Sequence, residues 1–184
     1  LTIPIKPEIK AEGGLIMQHD TNMSLGLKNV WTIECYDSEG NLKWGETKKN
    51  LVTTEGLNHV LSSTLDGGTQ ITTWYVGLKG TGSAAAGDTM SSHAGWTENT
   101  DYSQSVRQTL TLGTASAGSI DNTASKATYS INATATIAGA FITSDSTKSG
   151  TTGTLYGVVD FASSRAVISG DTLEVTVTLT AASA

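Results

Sequence analysis

Nucleophilic, acid–base or metal chemistry in this chain would have to be built from three histidines (His19, His59 and His93), one cysteine (Cys35) and a large background of serine and threonine. The histidines are too widely spaced for an HxH or HExxH zinc pair, and a lone cysteine offers neither a disulfide nor a CxxC ligand pair. His93 has Asp88, Glu98, Asp101 and several serines near it in sequence. In so serine-rich a chain that proximity is expected by chance, and a triad is defined by geometry. GTGSAAAG at 80–87 is glycine-rich but lacks the following Lys-Ser/Thr of a phosphate loop. Asp37, Glu39 and Asn41 alternate like the start of a calcium loop, without its central glycine and distant glutamate, so they read as a turn. The expectation is a protein that is not an enzyme and uses no cofactor and no metal ion.

Aromatic rings offer a different chemistry, adhesion. Trp31, Trp44, Trp74 and Trp96 could stack on sugars, which keeps a carbohydrate-binding module open as an alternative. Trp74 alternates with Val76 and Leu78 and reads as core. Trp96 and Tyr102 fall in the long polar stretch 80–105 and are expected at a surface contact.

The elements that must position these groups are mostly strands. VWTIECY at 30–36, the turn DSEGN at 37–41 and LKW at 42–44 form a hairpin pattern. TEGLNHVLSSTL at 54–65 is predicted helical, with Thr54 as N-cap, His59 facing solvent, and Leu57, Val60, Leu61, Thr64 and Leu65 on the face that covers a sheet. Alternation predicts further strands over 71–78, 106–112, 129–137 and 173–179, with 140–144 and 155–161 flanking a Ser/Thr/Gly loop. Seven or eight such strands and one helix predict an antiparallel two-sheet β-sandwich, jelly-roll or Ig-like. Residues 1–29 are assigned to an extended N-terminal arm and 30–184 to the sandwich. Pro4 and Pro7 suit the arm to lie along a partner or a sheet edge, with Ile3, Ile5 and Ile9 as contact residues; a loose tail is the other reading.

Composition limits the partners. Apolar residues at 38% and charged ones at 15% describe a folding chain, not a disordered one. A net charge of -6 with eleven scattered basic residues gives no surface for nucleic acid. No apolar stretch is long enough for a membrane span, and the first twenty residues lack the apolar block of a signal peptide, so synthesis in the cytoplasm is expected.

The stretches WTIECYDSEGNLKW, NLVTTEGLNHVLSSTL, TQITTWYVGLKG, AAGDTMSSHAGWTENTDYS and SGDTLEVTVTLTA resemble a family of small structural proteins of tailed bacteriophages, from about Val30 to the C terminus. That resemblance implies a virion component made in the bacterial cytoplasm, foremost a head decoration (cement) protein on the outer capsid surface. Its implied partners are the major capsid protein and other copies of itself, with a tail- or fibre-associated role as the nearest alternative. Ile3, Ile5, Ile9, Trp96 and Tyr102 are the contact residues this reading nominates.

Overall fold

The computed structural model describes residues 25–183, and in them two antiparallel sheets enclose one main core. Ile3, Ile5 and Ile9 lie outside the described residues. The first strand, β1 (Leu25–Tyr36), turns through Asp37–Asn41 into β2 (Leu42–Lys49). The turn forms because Asp37 Oδ1 accepts the backbone N–H groups of Glu39 and Asn41, each at 2.9 Å, and Gly40 takes φ +84°. Those bonds hold the Asp37 carboxyl below its ordinary range, the Asn41 backbone N–H contributing most.

A short β3 (Leu51–Val52) leads into α1 (Thr54–Leu65) and then β4 (Tyr75–Gly82). After the long loop come β5 (Trp96–Asn99), β6 (Gln108–Thr109), β7 (Ser119–Asp121), β8 (Ala127–Ser130), β9 (Ala135–Thr143), β10 (Leu155–Val167) and β11 (Thr172–Ser183). One sheet runs β2-β1-β11-β7, with β8 also on β11; the other runs β3-β10-β9-β4-β5, with β6 on β4. The mainly-β, two-sheet expectation with a single helix therefore holds for the described residues.

Strands β1 and β11 pair along their whole length, from Leu25 opposite Ser183 to Tyr36 opposite Thr172. Residues 25–29, which the sequence assigns to the arm, therefore belong to the sheet. Alternate residues of this pair point inward: Trp31, Ile33, Cys35, Leu173, Val175 and Val177 are all buried. They meet Val76, Leu78, Ala140, Ile142 and Val159 from the opposite sheet. Tyr129 ties the layers together by donating its hydroxyl to the Val76 carbonyl at 2.7 Å.

The run expected as one strand over 129–137 is divided. β8 ends at Ser130 in one sheet and β9 starts at Ala135 in the other, so the chain crosses between layers at 131–134. Alternation reports which side of a strand is buried and is blind to which sheet the strand joins. Of the segment expected over 106–112, only Gln108–Thr109 pairs as a strand, and the strand expected from Ile71 starts at Tyr75.

The second sheet is buried on both faces. Phe141, Leu155 and Val158 point away from the main core and pack with Met90 and Trp96, so the 83–105 stretch covers the sheet's outer face. The Phe141 ring fills the space above Gly77, where a Cβ would stand 2.2 Å from it.

Candidate functional site

The polar loop expected to present Trp96 and Tyr102 outward turns them inward. Trp96 is 3% exposed and Tyr102 1%. Trp96 packs 5.1 Å from the Phe141 ring, lies stacked on His93 at 4.1 Å, and donates its indole N–H to Asp88 Oδ2 at 2.9 Å. Tyr102 meets Tyr129 edge-on at 4.9 Å, and burial drives its phenol well above the usual value. Neither ring is available to a partner of the folded chain. The loop is polar because its own turns consume its polar groups: Asp88 accepts Ala85 N–H and Thr89 Oγ1 accepts Ser92 N–H. The few apolar residues left over are enough to close a sheet face.

The remaining tryptophans are engaged as well. Trp31 is fully buried, Trp44 sits edge-on to Phe161, and Trp74 is held between His59 and Tyr156. Trp31 and Trp96 are closed to a stacking sugar, while Trp44 and Trp74 are half-buried.

The acids near His93 in sequence are occupied elsewhere. Asp88 takes the Trp96 indole, Glu98 takes Arg107, and Asp101 takes the Asn99 side chain. His93 Nδ1 lies 3.2 Å from the Trp96 carbonyl oxygen, and among the described residues neither His93 nor His59 bonds to a serine or threonine hydroxyl. Cys35 is buried with its Sγ 3.7 Å from Asp171 Oδ2; burial, then the Asp171 charge, push the thiol up to about 12. Among the described residues no three of His, Cys, Asp and Glu gather closely enough to hold a metal ion, and no helix is long and apolar enough to cross a membrane.

What the described surface does offer is a row of leucines. α1 is anchored by its first turn: Thr53, the actual N-cap, accepts Gly56 N–H at 3.1 Å and donates its hydroxyl to the Leu155 carbonyl. Glu55 Oε2 accepts Leu155 N–H at 2.7 Å, and Gly56 lies against the Tyr156 backbone so closely that a Cβ would come 2.2 Å from the carbonyl oxygen. These contacts fix the helix's rotation, so Gly56, His59, Val60 and Ser63 face the body. Leu57, Leu61 and Leu65, four apart on the other face, are left 41%, 53% and 79% exposed. The helix is where the sequence predicts it, but the leucine face expected to cover a sheet points to solvent, and His59 is half-buried against Trp74 at 5.4 Å.

Neither a protein-family model nor a curated protein matches the chain.

Proposed function

We propose that this chain is a structural protein of a tailed-phage virion that binds the outside of the capsid and stabilises the shell, with the major capsid protein and further copies of itself as partners. The observation that carries this reading is the exposed leucine row of α1 on a two-sheet body. An unpartnered apolar strip next to polar surface is the usual mark of a protein contact. The five sequence stretches that resemble phage structural proteins supply the partner class, and Ile3, Ile5 and Ile9 remain contact residues in this proposal.

A shell-binding protein stabilises by mass action, because it binds the assembled lattice and not its free subunits. Its work is contact area, and many copies on a symmetric lattice turn a modest contact into high avidity. An acidic body suits an outer surface, where no attraction to the packaged genome is needed.

Imaging purified particles of the source phage, with mass spectrometry of their proteins, tests the reading. The expected result is many copies on the outer face of the head. Density confined to the tail would support the tail or fibre role instead, and absence from intact particles would end the proposal.

A further inference from the structure

At the end of the sandwich where β1 begins and β11 finishes, the inward positions Leu27, Leu179 and Ala181 are partly or fully exposed, with Asn29 buried beside them. Together with Ile120 and Tyr156 they line an apolar cavity of about 320 Å³. Tyr156 and Leu179 also wall a second cavity of about 180 Å³ beneath α1, so the two adjoin. An apolar cavity of roughly 150 Å³ already accepts a benzene-sized group, which makes this groove large enough for several aliphatic side chains.

One wall residue has the wrong chemistry for an apolar groove. Asn29 is 2% exposed, and neither its Oδ1 nor its Nδ2 has a hydrogen-bond partner. It is near enough to the Tyr156 hydroxyl to oppose the rise that burial imposes on that phenol, yet it makes no bond of normal geometry with it. Other buried polar atoms without partners, such as those of Trp31 and Asn50, do not line this cavity. A buried carboxamide with both ends unmatched is costly, and what matches it is a peptide group, which offers one N–H and one C=O. The groove therefore has the chemistry of a site for an extended peptide with aliphatic side chains.

Such a peptide is present in the chain itself. Leu1, Ile3, Ile5, Pro7 and Ile9 occupy successive odd positions, with Thr2, Pro4, Lys6 and Glu8 between them and Lys10 following. An extended backbone would put the apolar set on one side and the charges on the other. Residues 1–24 precede β1, whose start forms the rim of the groove, and fully extended they reach at most roughly 80 Å. A chain of this size has a radius of gyration of about 16 Å, so the reach exceeds one molecule and attains its neighbour.

We propose that the groove receives residues 3–9 of a second copy, with Ile3, Ile5 and Ile9 in the apolar part and Asn29 bonded to their backbone. This deepens the neighbouring-copy contact of the function proposed above and rests on that reading for the dense array of copies that favours exchange. Each exchange repeats the same contact from copy to copy, which on a closed lattice gives a linked ring or net.

The test uses full-length chains in free solution, so that it fails or succeeds independently of any particle. An Ile5→Cys chain and a larger tagged Ala181→Cys chain are mixed at the highest concentration they reach, oxidised mildly, and examined on non-reducing gels with peptide mapping. The expected product is a mixed dimer joined through positions 5 and 181. Adding Asn29→Leu to the Ala181→Cys chain should cut its yield about tenfold, the worth of one or two lost hydrogen bonds. A link formed only within one chain, in the Ile5→Cys/Ala181→Cys double variant, would overturn the second-copy assignment. No link in any mixture, or a yield indifferent to Asn29→Leu, would overturn the groove as the site. Absence of the protein from particles would defeat the capsid reading while leaving this result standing.

Discussion

Arg107 grips both carboxylate oxygens of Glu98, Nε to Oε1 at 2.9 Å and Nη2 to Oε2 at 2.7 Å, with the arginine side chain fully buried and the glutamate nearly so. The guanidinium also donates to the Asp145 and Gly150 carbonyls, both at 2.9 Å, and lies 5.1 Å from the Phe141 ring centroid. Glu98 accepts Ser149 N–H at 2.8 Å. One ion pair thus ties β5, through Glu98, to Arg107 and to the 144–154 segment between β9 and β10.

Arg107→Met should therefore be among the most destabilising single changes. It leaves Glu98 buried with only part of its bonding, which typically costs about 3–5 kcal/mol. Arg107→Lys, which cannot fork, should recover only part of the loss. Urea unfolding followed by tryptophan fluorescence checks this, and an unchanged midpoint for Arg107→Met would contradict the structural role assigned to the pair.

The helix yields a prediction opposite to its propensities. At an exposed site Gly→Ala in a helix gains about 1 kcal/mol. Gly56→Ala should instead lower stability by roughly 1–3 kcal/mol, because the added methyl meets the Tyr156 backbone and the helix must lift. Leu61→Lys, on the solvent face, should change stability by no more than about 0.5 kcal/mol, and under the function proposed above it should weaken binding to expanded capsids. Paired chemical denaturation and capsid co-sedimentation separate the two effects.

Much of this architecture is legible in the residues. Leu173, Val175 and Val177 alternate with polar neighbours because β11 has one wet face, and the Asp37–Asn41 turn is written in its residue types. The leucine face of α1 is not legible, because its orientation is set by a backbone approach at Gly56 that no periodicity records. The polarity of their surroundings predicts Trp96 and Tyr102 at the surface, yet those polar groups bond to one another and leave the rings to pack inward. A signal for that existed: IAGAFI at 137–142 does not alternate, and an unbroken apolar run belongs to a strand covered on both faces. Something had to cover the second face, and the 83–105 loop was the segment available.

Acid should destabilise the fold through its anchored carboxylates. The Arg165 guanidinium holds Glu46 below its ordinary 4.5, Thr152 holds Asp145 below 3.8, and Thr123 does the same for Asp121. Each folded value lies under the unfolded one, so the stabilisation is complete above the unfolded values and disappears as pH falls through the folded ones. Melting temperature should stay level from neutrality down to about pH 5 and then decline. Glu46→Gln should flatten that decline and lower the neutral plateau, and an equally steep acid limb in the variant would refute the assignment.

At the other extreme, Cys35 moves from an ordinary 9.0 up to about 12 on folding. Its contribution is whole below 9.0 and is lost between 9.0 and 12, because only the unfolded chain ionises there. A thiol reagent at pH 8 should label the native protein no faster than the chain unfolds, and fast labelling without urea would show the thiol to be accessible.

The full-length antiparallel pairing of Leu25 with Ser183 through to Tyr36 with Thr172 has a mechanical corollary. Tension applied between the two ends of the described chain would peel the central strands apart one rung at a time, the weakest direction in which a ladder of hydrogen bonds can be loaded, instead of shearing all rungs together. A molecule so wired yields most easily when Leu25 and Ser183 are drawn apart, and it holds best under a load that does not run between those two positions.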